Sequence, residues 1–470
     1  MPGQPAQNEG CGQVISLEKY RKAVRAGSTF RIMGRVSQVI GLVVESVGPL
    51  ARIGELCYIS PAGRAPAIEA EVVGFREGKV LLMALGDLSG IKPGSEVVAS
   101  GKKLAVKVGP KLRGRVIDGL GKPLDGLGPI EWVHEYPIEN SPPNPLERER
   151  ITEPLSVGIR AIDGLLTCGK GQRVGIFSGS GVGKSTLLGM IARNTEADVS
   201  VIGLIGERGR EVREFIEKDL GPEGLKRSVV VVATSDRPTL VRIKGALLAT
   251  AIAEYFRDQG CDVMLMMDSL TRFAMAQREV GLAIGEPPTT HGYTPSVFSL
   301  LPKLLERAGT SKKGTITGLY TVLVEADDMN EPIADAARSI LDGHIVLSRE
   351  LAAMNHYPAI DILNSVSRVM VDIVPDEHKL AAGKLRDVLA TYKDASDLIN
   401  IGAYVPGSNP KIDYAREMIQ GVNDFLVQGI EEKSDLTEAR SKLCELFSSK
   451  NTVEATPVAR QRSMAGGRLP

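Results

Sequence analysis

The sequence is short of aromatic residues, of unbalanced charge and of long apolar runs. Aromatics make up 4% of its 470 residues, and Trp132 is the one tryptophan. The 57 basic and 57 acidic side chains cancel at neutral pH, which excludes a cation-rich coat for nucleic acid. Its cysteines, Cys11, Cys57, Cys168, Cys261 and Cys444, lie far apart and form no CxxC pair. Neither a zinc knuckle nor a disulfide framework is indicated, and idle thiols in a reducing compartment are expected. Apolar runs such as residues 229–233 and 263–267 are far too short to cross a bilayer. The N-terminal MPGQPAQNEG has no signal-peptide pattern. A cytoplasmic protein is expected.

What is present is an ordinary globular balance, 43% apolar and 24% charged, with glycine high at 51 residues. At about 150 residues per domain the length suggests about three domains. Residues 1–27 read as a polar arm with a short amphipathic helix, Ser16 as its N-cap and Gly27 as its stop. Residues 28–98 hold short Val-rich runs punctuated by Gly and Pro, the pattern of a small antiparallel barrel or sandwich. Residues 99–150 read as a Gly/Pro-rich linker. From 151 to 375 strands and helices alternate, with near-continuous apolar strands at 173–177, 199–205, 228–233, 263–267 and 315–324. Helices fall at 186–194 and 240–255. That pattern predicts an α/β domain whose parallel sheet is covered on both faces. After about 375 the strands fade, and Met418, Val422, Phe425 and Leu426 recur at helical spacing. A helical domain is predicted over 376–470, with a disordered tail.

The run RVGIFSGSGVGKST carries chemistry. A strand feeds a loop whose Gly179, Gly181 and Gly183 let backbone amides curl around a phosphate, with Ser180 and Val182 between them. The helix opening at Thr186 adds its positive end. Lys184 can neutralise β- and γ-phosphates, and the Ser185 hydroxyl can ligate Mg²⁺. Ser178 stands where the strict phosphate-loop pattern has glycine, a small-residue variation. The strand before and helix after disfavour a fortuitous glycine-rich turn. In CDVMLMMDS, Asp268 ends an apolar run as a Mg²⁺-organising acid would. Glu207, in GLIGERGREV, follows a strand at the same end of the sheet. It either primes the attacking water or pairs with Arg208 or Arg210 on a surface turn, and composition leaves both open.

From about residue 28 to 430 the chain resembles the type III secretion ATPases, the flagellar export ATPases above all, which are related to rotary ATP synthase catalytic subunits. The segments are SGSGVGKST, IGERGREV, MMDSLTRFA, GEPPTTHGYTPSVFSLLPKLLERAG, SILDGHIVLSREL and HYPAIDILNSVSRVM. The resemblance implies an N-terminal β-barrel, a RecA-type core and a helical C-terminal domain. It implies that Glu207 activates water, that Lys184 and Ser185 hold phosphate and Mg²⁺, and that Asp268 supports the metal. Arg368, in SVSRV, matches an arginine finger that reaches into a neighbour's site, and Tyr357, in HYPAID, matches a residue stacking on adenine. Arg208 and Arg272 match cations lining the site. Tyr357 as a plain core aromatic stays open.

Because one chain carries both Glu207 and Arg368, a homohexameric ring is the assembly the resemblance implies. It further implies ATP and Mg²⁺ as ligands and protein export as the task, at the cytoplasmic membrane's inner face. Implied partners are a regulator at the N-terminal arm, a coiled-coil stalk in the pore, chaperone–substrate complexes and a membrane export gate, with no nucleic acid. The loop at 285–298 is a pore or interface candidate, or an ordinary surface loop. Three other readings are weighed. A rotary synthase subunit is disfavoured because VPGSNP (405–410) carries no acid. An RNA translocase is disfavoured because residues 28–98 hold only Phe30, Tyr58 and Phe75, with seven basic side chains against seven acidic ones. A non-enzymatic nucleotide-binding subunit would lack Glu207.

Overall fold

Alternation of apolar and polar residues closes the first unit into a barrel. In the computed structural model, which describes residues 21, 32–61, 65–324 and 328–448, the strands are β1 (Met33–Ile40), β2 (Val43–Val47), β3 (Glu55–Ile59), β4 (Ile68–Arg76), β5 (Lys79–Ala84) and β6 (Glu96–Lys103). They pair antiparallel in the closed order β1-β2-β5-β4-β3-β6. Val36, Val44, Ile59, Val72, Leu82 and Val97 fill the interior, as period-2 patterning requires. Gly34 has no room for a side chain, since a Cβ there would lie 2.1 Å from the Gly48 carbonyl oxygen. β6 runs to Lys103, beyond the expected end of the barrel at 98. The reading of residues 1–27 as a helical arm lies, Arg21 aside, outside the described residues, as does the reading of residues 451–470 as a tail.

The second unit, from Leu104 onward, is built on a sheet whose central strands are buried on both faces. Its strands are β7 (Val116–Asp118), β8 (Arg173–Ser178), β9 (Val199–Ile205), β10 (Ser228–Ala233), β11 (Asp262–Asp268), β12 (Thr315–Leu323), β13 (Gly343–Leu347) and β14 (Ile360–Ser367). Their order is β14-β13-β8-β12-β11-β9-β10-β7. All these pairs are parallel except β13/β14. Such strands satisfy every backbone group in the ladder while both faces pack on helices, so a near-continuous apolar run is what they need.

The segment 99–150 is not a plain linker. β7 lies within it and pairs with β10, and Ala105–Val108 pairs antiparallel with His134–Pro137. The Arg115 guanidinium grips Asp125 at 2.7 and 2.9 Å across the intervening glycine-rich turns. These strands are short and their partners distant, so turn residues dominate the local pattern and conceal them.

Helices α1 (Lys184–Asn194), α2 (Thr239–Asp258) and α3 (Leu270–Ile284) follow sheet strands, and α4 (Pro295–Leu305) follows α3. Beyond the sheet come α5 (Asp376–Asn400), α6 (Pro410–Leu426) and α7 (Leu436–Ser448). Met418, Val422, Phe425 and Leu426 are all buried there. Their stripe closes on the short helix Arg160–Leu165, where a Cβ at Gly164 would come within 2.8 Å of the Phe425 ring. The segment 285–298 is partly helical. Gly285 ends α3 in a left-handed conformation, and α4 begins at Pro295.

Candidate functional site

Parallel pairing brings the carboxyl ends of β8, β9, β11 and β12 to one edge of the sheet. Leu204 pairs with Asp268, Met267 with Tyr320 and Ser178 with Leu323. Residues far apart in sequence therefore meet above the strand ends, where an open parallel sheet leaves a crevice.

The loop between β8 and α1 turns on Gly181 and Gly183, at φ of 78° and 87°. A side chain is strained in that left-handed region, so glycine is required. Ser178 is the last residue of β8, flanked by Leu323 and Leu347 on the neighbouring strands. Extended backbone accepts any residue, which explains why glycine is dispensable at this point. The serine is buried and its hydroxyl has no hydrogen-bond partner.

Lys184 opens α1 and sends its ammonium to two carboxylates. Nζ lies 2.5 Å from Asp268 Oδ1 and 3.7 Å from Glu207 Oε1. The buried Thr321 hydroxyl donates to the same Asp268 oxygen at 2.7 Å. Burial works against the charge on Lys184, but Asp268 and Glu207 outweigh it and hold the ammonium above its usual range. Burial, with the Asp268 charge opposite, pushes the Glu207 carboxyl up to about 7. Its Oε1 is buried and accepts no hydrogen bond.

The two readings of Glu207 separate on this geometry. Arg208 pairs instead with Glu211 at 3.7 Å, and Arg210 with Glu214 at 3.3 Å. Glu207 faces Lys184, inside a cavity of ≈ 560 Å³ lined also by residues 178–181, Ser185, Thr186, Arg208 and Arg272. Arg272 packs its stem against Gly206, where a Cβ would come within 2.7 Å of it, and its Nε is buried without a partner.

On the other side of the loop lies a second cavity of ≈ 490 Å³, lined by Gly181, Val182, Gly183, Tyr357 and residues 427–430. A Cβ on Gly183 would touch the Tyr357 ring at 3.4 Å. Tyr357 is 39% exposed, so it is not a core aromatic. Gly181, Gly183 and Thr186 line both cavities, so the glycine loop separates an ionic chamber from a largely apolar slot.

Arg368 is not brought to this site. It follows Ser367, which pairs with Gly343, itself the partner of Val174 at the start of β8. Four residues of strand separate that level from Ser178, roughly 13 Å at ~3.3 Å per residue. Arg368 is exposed there, its backbone N–H donating to the Asp342 carbonyl at 3.1 Å.

Sequence reasoning missed Thr321 and the wall at 427–430. Thr321 lies inside an apolar strand, and Gln428 follows a helix of the C-terminal region, so neither carries a local signal. The oxygen donors suit a small hard cation: the exposed Ser185 hydroxyl lines the chamber, and the Asp268 carboxylate lies 2.5 Å from the Lys184 ammonium. Among the described residues no group of three or more His, Cys, Asp or Glu could hold a metal unaided.

Comparison with known proteins agrees with this architecture. Residues 158–367 match the nucleotide-binding domain of the ATP synthase alpha/beta family, and 36–101 match that family's beta-barrel domain. Residues 374–445 match the T3SS EscN ATPase C-terminal domain. The chain is 58% identical to the flagellum-specific ATP synthase of Bacillus subtilis over 419 residues, 89% of this chain and 96% of that one. The assembled ATPase EscN of the enteropathogenic E. coli type III secretion system superposes with a TM-score of 0.83 at 48% identity, over 88% of this chain and 99% of that one. EscN in complex with its central stalk EscO gives 0.81 at 47% identity, with the same coverage. No helix among the described residues is long and apolar enough to cross a membrane. The chain belongs to the ATP synthase alpha/beta family, in its branch of flagellum-specific and type III secretion ATPases, whose ATP hydrolysis energises flagellar protein export.

Proposed function

We propose that the chain works as a Mg²⁺-dependent, homohexameric ring in which each hydrolytic site is shared between neighbours. The observation that carries this is the meeting of Lys184, Asp268 and Glu207 over the glycine loop while Arg368 stays exposed at the other end of the same sheet. One subunit cannot supply all four groups to a single site, whereas two copies can.

In this reading residues 179–186 cradle the phosphates, and Lys184 leaves Asp268 to neutralise the β- and γ-oxygens. Ser185 and Asp268 hold Mg²⁺, which supplies further charge neutralisation on the phosphates when bound. Glu207 accepts a hydrogen bond from the attacking water and takes its proton as the bond to the terminal phosphorus forms and the bond from that phosphorus to the β–γ bridging oxygen breaks, releasing ADP and phosphate. The neighbour's Arg368 meets the charge that develops there, and Arg208 and Arg272 line the chamber. Tyr357 stacks on the adenine. EscN's assembly and its complex with a central stalk support self-association and a stalk partner here. The resemblance adds a regulator at residues 1–27, chaperone–substrate complexes, an export gate, and a station at the cytoplasmic membrane's inner face. The domain limits keep to this plan, with the barrel extended to 103.

Mixing tests the shared site. Glu207→Gln and Arg368→Ala proteins are each nearly inactive alone and regain activity when co-assembled, because some interfaces then carry both native groups. Co-assembled rings that stay inactive would overturn it.

A further inference from the structure

The slot beside Tyr357 is closed by the chain leaving α6, and that chain is tied to the phosphate-loop body through one buried cation. Arg160 is 5% exposed. Its Nε donates to the Phe425 carbonyl at 2.9 Å, and its terminal nitrogens donate to the Val427 carbonyl and the Glu432 carboxylate. Its own backbone N–H donates to Gln428 Oε1 at 2.7 Å. Gln428, 3% exposed, donates from Nε2 to the carbonyls of Gly158 and Glu432, each at 3.0 Å. The Gln428 backbone N–H donates to the Tyr357 carbonyl at 2.9 Å. A second tie is Arg193, near the end of α1, which donates to the Ile430 carbonyl at 2.8 Å.

A guanidinium removed from water must find an acceptor for each N–H or it is heavily penalised. Every acceptor named for the Arg160 side chain belongs to residues 425–432. Opening that segment would strand the cation and unpair Gln428 at once. The base-side wall is therefore held by contacts that need no nucleotide.

We infer that Arg160 and Gln428 are positioning residues that keep the base-side wall of the nucleotide pocket assembled before binding. The base then meets a preformed slot instead of one it must order, which favours affinity. This rests on the reading of residues 181–186 and Tyr357 as the nucleotide pocket.

Calorimetric titration of the full chain with ADP and Mg²⁺, and separately with inorganic pyrophosphate, tests it in Arg160→Lys, Glu432→Gln and Tyr357→Ala proteins. Arg160→Lys and Glu432→Gln should each weaken ADP binding about tenfold, the size of one lost charge-assisted hydrogen bond. Pyrophosphate affinity should not move, and KM for ATP should rise with little change in kcat. Should Arg160→Lys not fold, Glu432→Gln carries the test, since that side chain is 40% exposed. Wild-type ADP affinity in both variants, with Tyr357→Ala weakened, would overturn the positioning role alone. Unchanged ADP affinity in Tyr357→Ala would instead overturn the pocket reading beneath it. Equal losses for ADP and pyrophosphate would mark general damage and also overturn it.

Discussion

The Lys184 ammonium sits 2.5 Å from Asp268 Oδ1, so the cation proposed for the phosphates is paired with the acid proposed for the metal. Glu207 waits 3.7 Å away on the other side. In the proposed mechanism phosphates win Lys184 from a buried carboxylate, which their extra charge favours. Lys184→Met should lower the steady-state ATPase rate by at least about 10²-fold. It also leaves the buried Asp268 and the half-buried Glu207 carboxylates without their cation, so urea midpoints should fall more at pH 8 than at pH 6, where Glu207 is mostly protonated.

As the proposed base, Glu207 can accept the water's proton only when ionised. With its carboxyl raised to about 7, kcat/KM should climb as pH rises through 7 and level off above it. Stability runs the other way. Between the ordinary carboxyl value of 4.5 and about 7 the folded chain keeps a proton that the unfolded chain loses, so nucleotide-free stability falls as pH rises across that window. Glu207→Gln should flatten both profiles, as read by initial rates and by urea midpoints at several pH values. A Glu207→Gln protein whose rate still climbs through pH 7 would remove Glu207 as the base.

Arg368→Ala should cut kcat of the assembled enzyme about 10³-fold. ADP affinity of dilute, unassembled subunits should stay at wild type, because Arg368 lies at the far end of the sheet from its own chain's loop. A loss of ADP affinity in those subunits would place the guanidinium in its own pocket.

The strongest test of the core lies away from the site. Arg307 donates to both oxygens of Glu254 at 2.8 Å and to the Ile138 carbonyl at 2.7 Å, with side chains 2% and 1% exposed. Glu254→Gln leaves the guanidinium buried without a counter-charge and should cost about 3–5 kcal/mol in chemical denaturation. Arg213→Ala, which breaks a pair exposed at 79% and 62%, should cost about 0–1 kcal/mol.

How much was legible before the structure follows from how local each signal is. The strands at 173–178, 199–205, 228–233, 262–268 and 315–323 agree with the apolar runs to within a residue, because a strand buried on both faces leaves no polar interruption. β13 and β14 were not read, since GHIVL and IDILNSVS are short or mixed and owe their strand state to pairing on β8 and on each other. Glycine spacing marked the phosphate loop, and Asp268 and Glu207 stood out as acids ending apolar strands. Thr321, Arg160 and Gln428 are ordinary residues in ordinary surroundings along the chain.

The order of residues alone determined the glycine loop, its strand and helix, and the family likeness, because turn conformation and apolar period are properties of a few neighbours. Only the tertiary structure decided that Lys184 rests on Asp268, that Glu207 shuns Arg208 and Arg210, and that residues 427–430 line the slot beside Tyr357. Those are decided by parallel register and by where one buried guanidinium finds its acceptors, which are relations between segments 84 residues apart for Lys184 and Asp268 and 265 apart for Arg160 and Phe425.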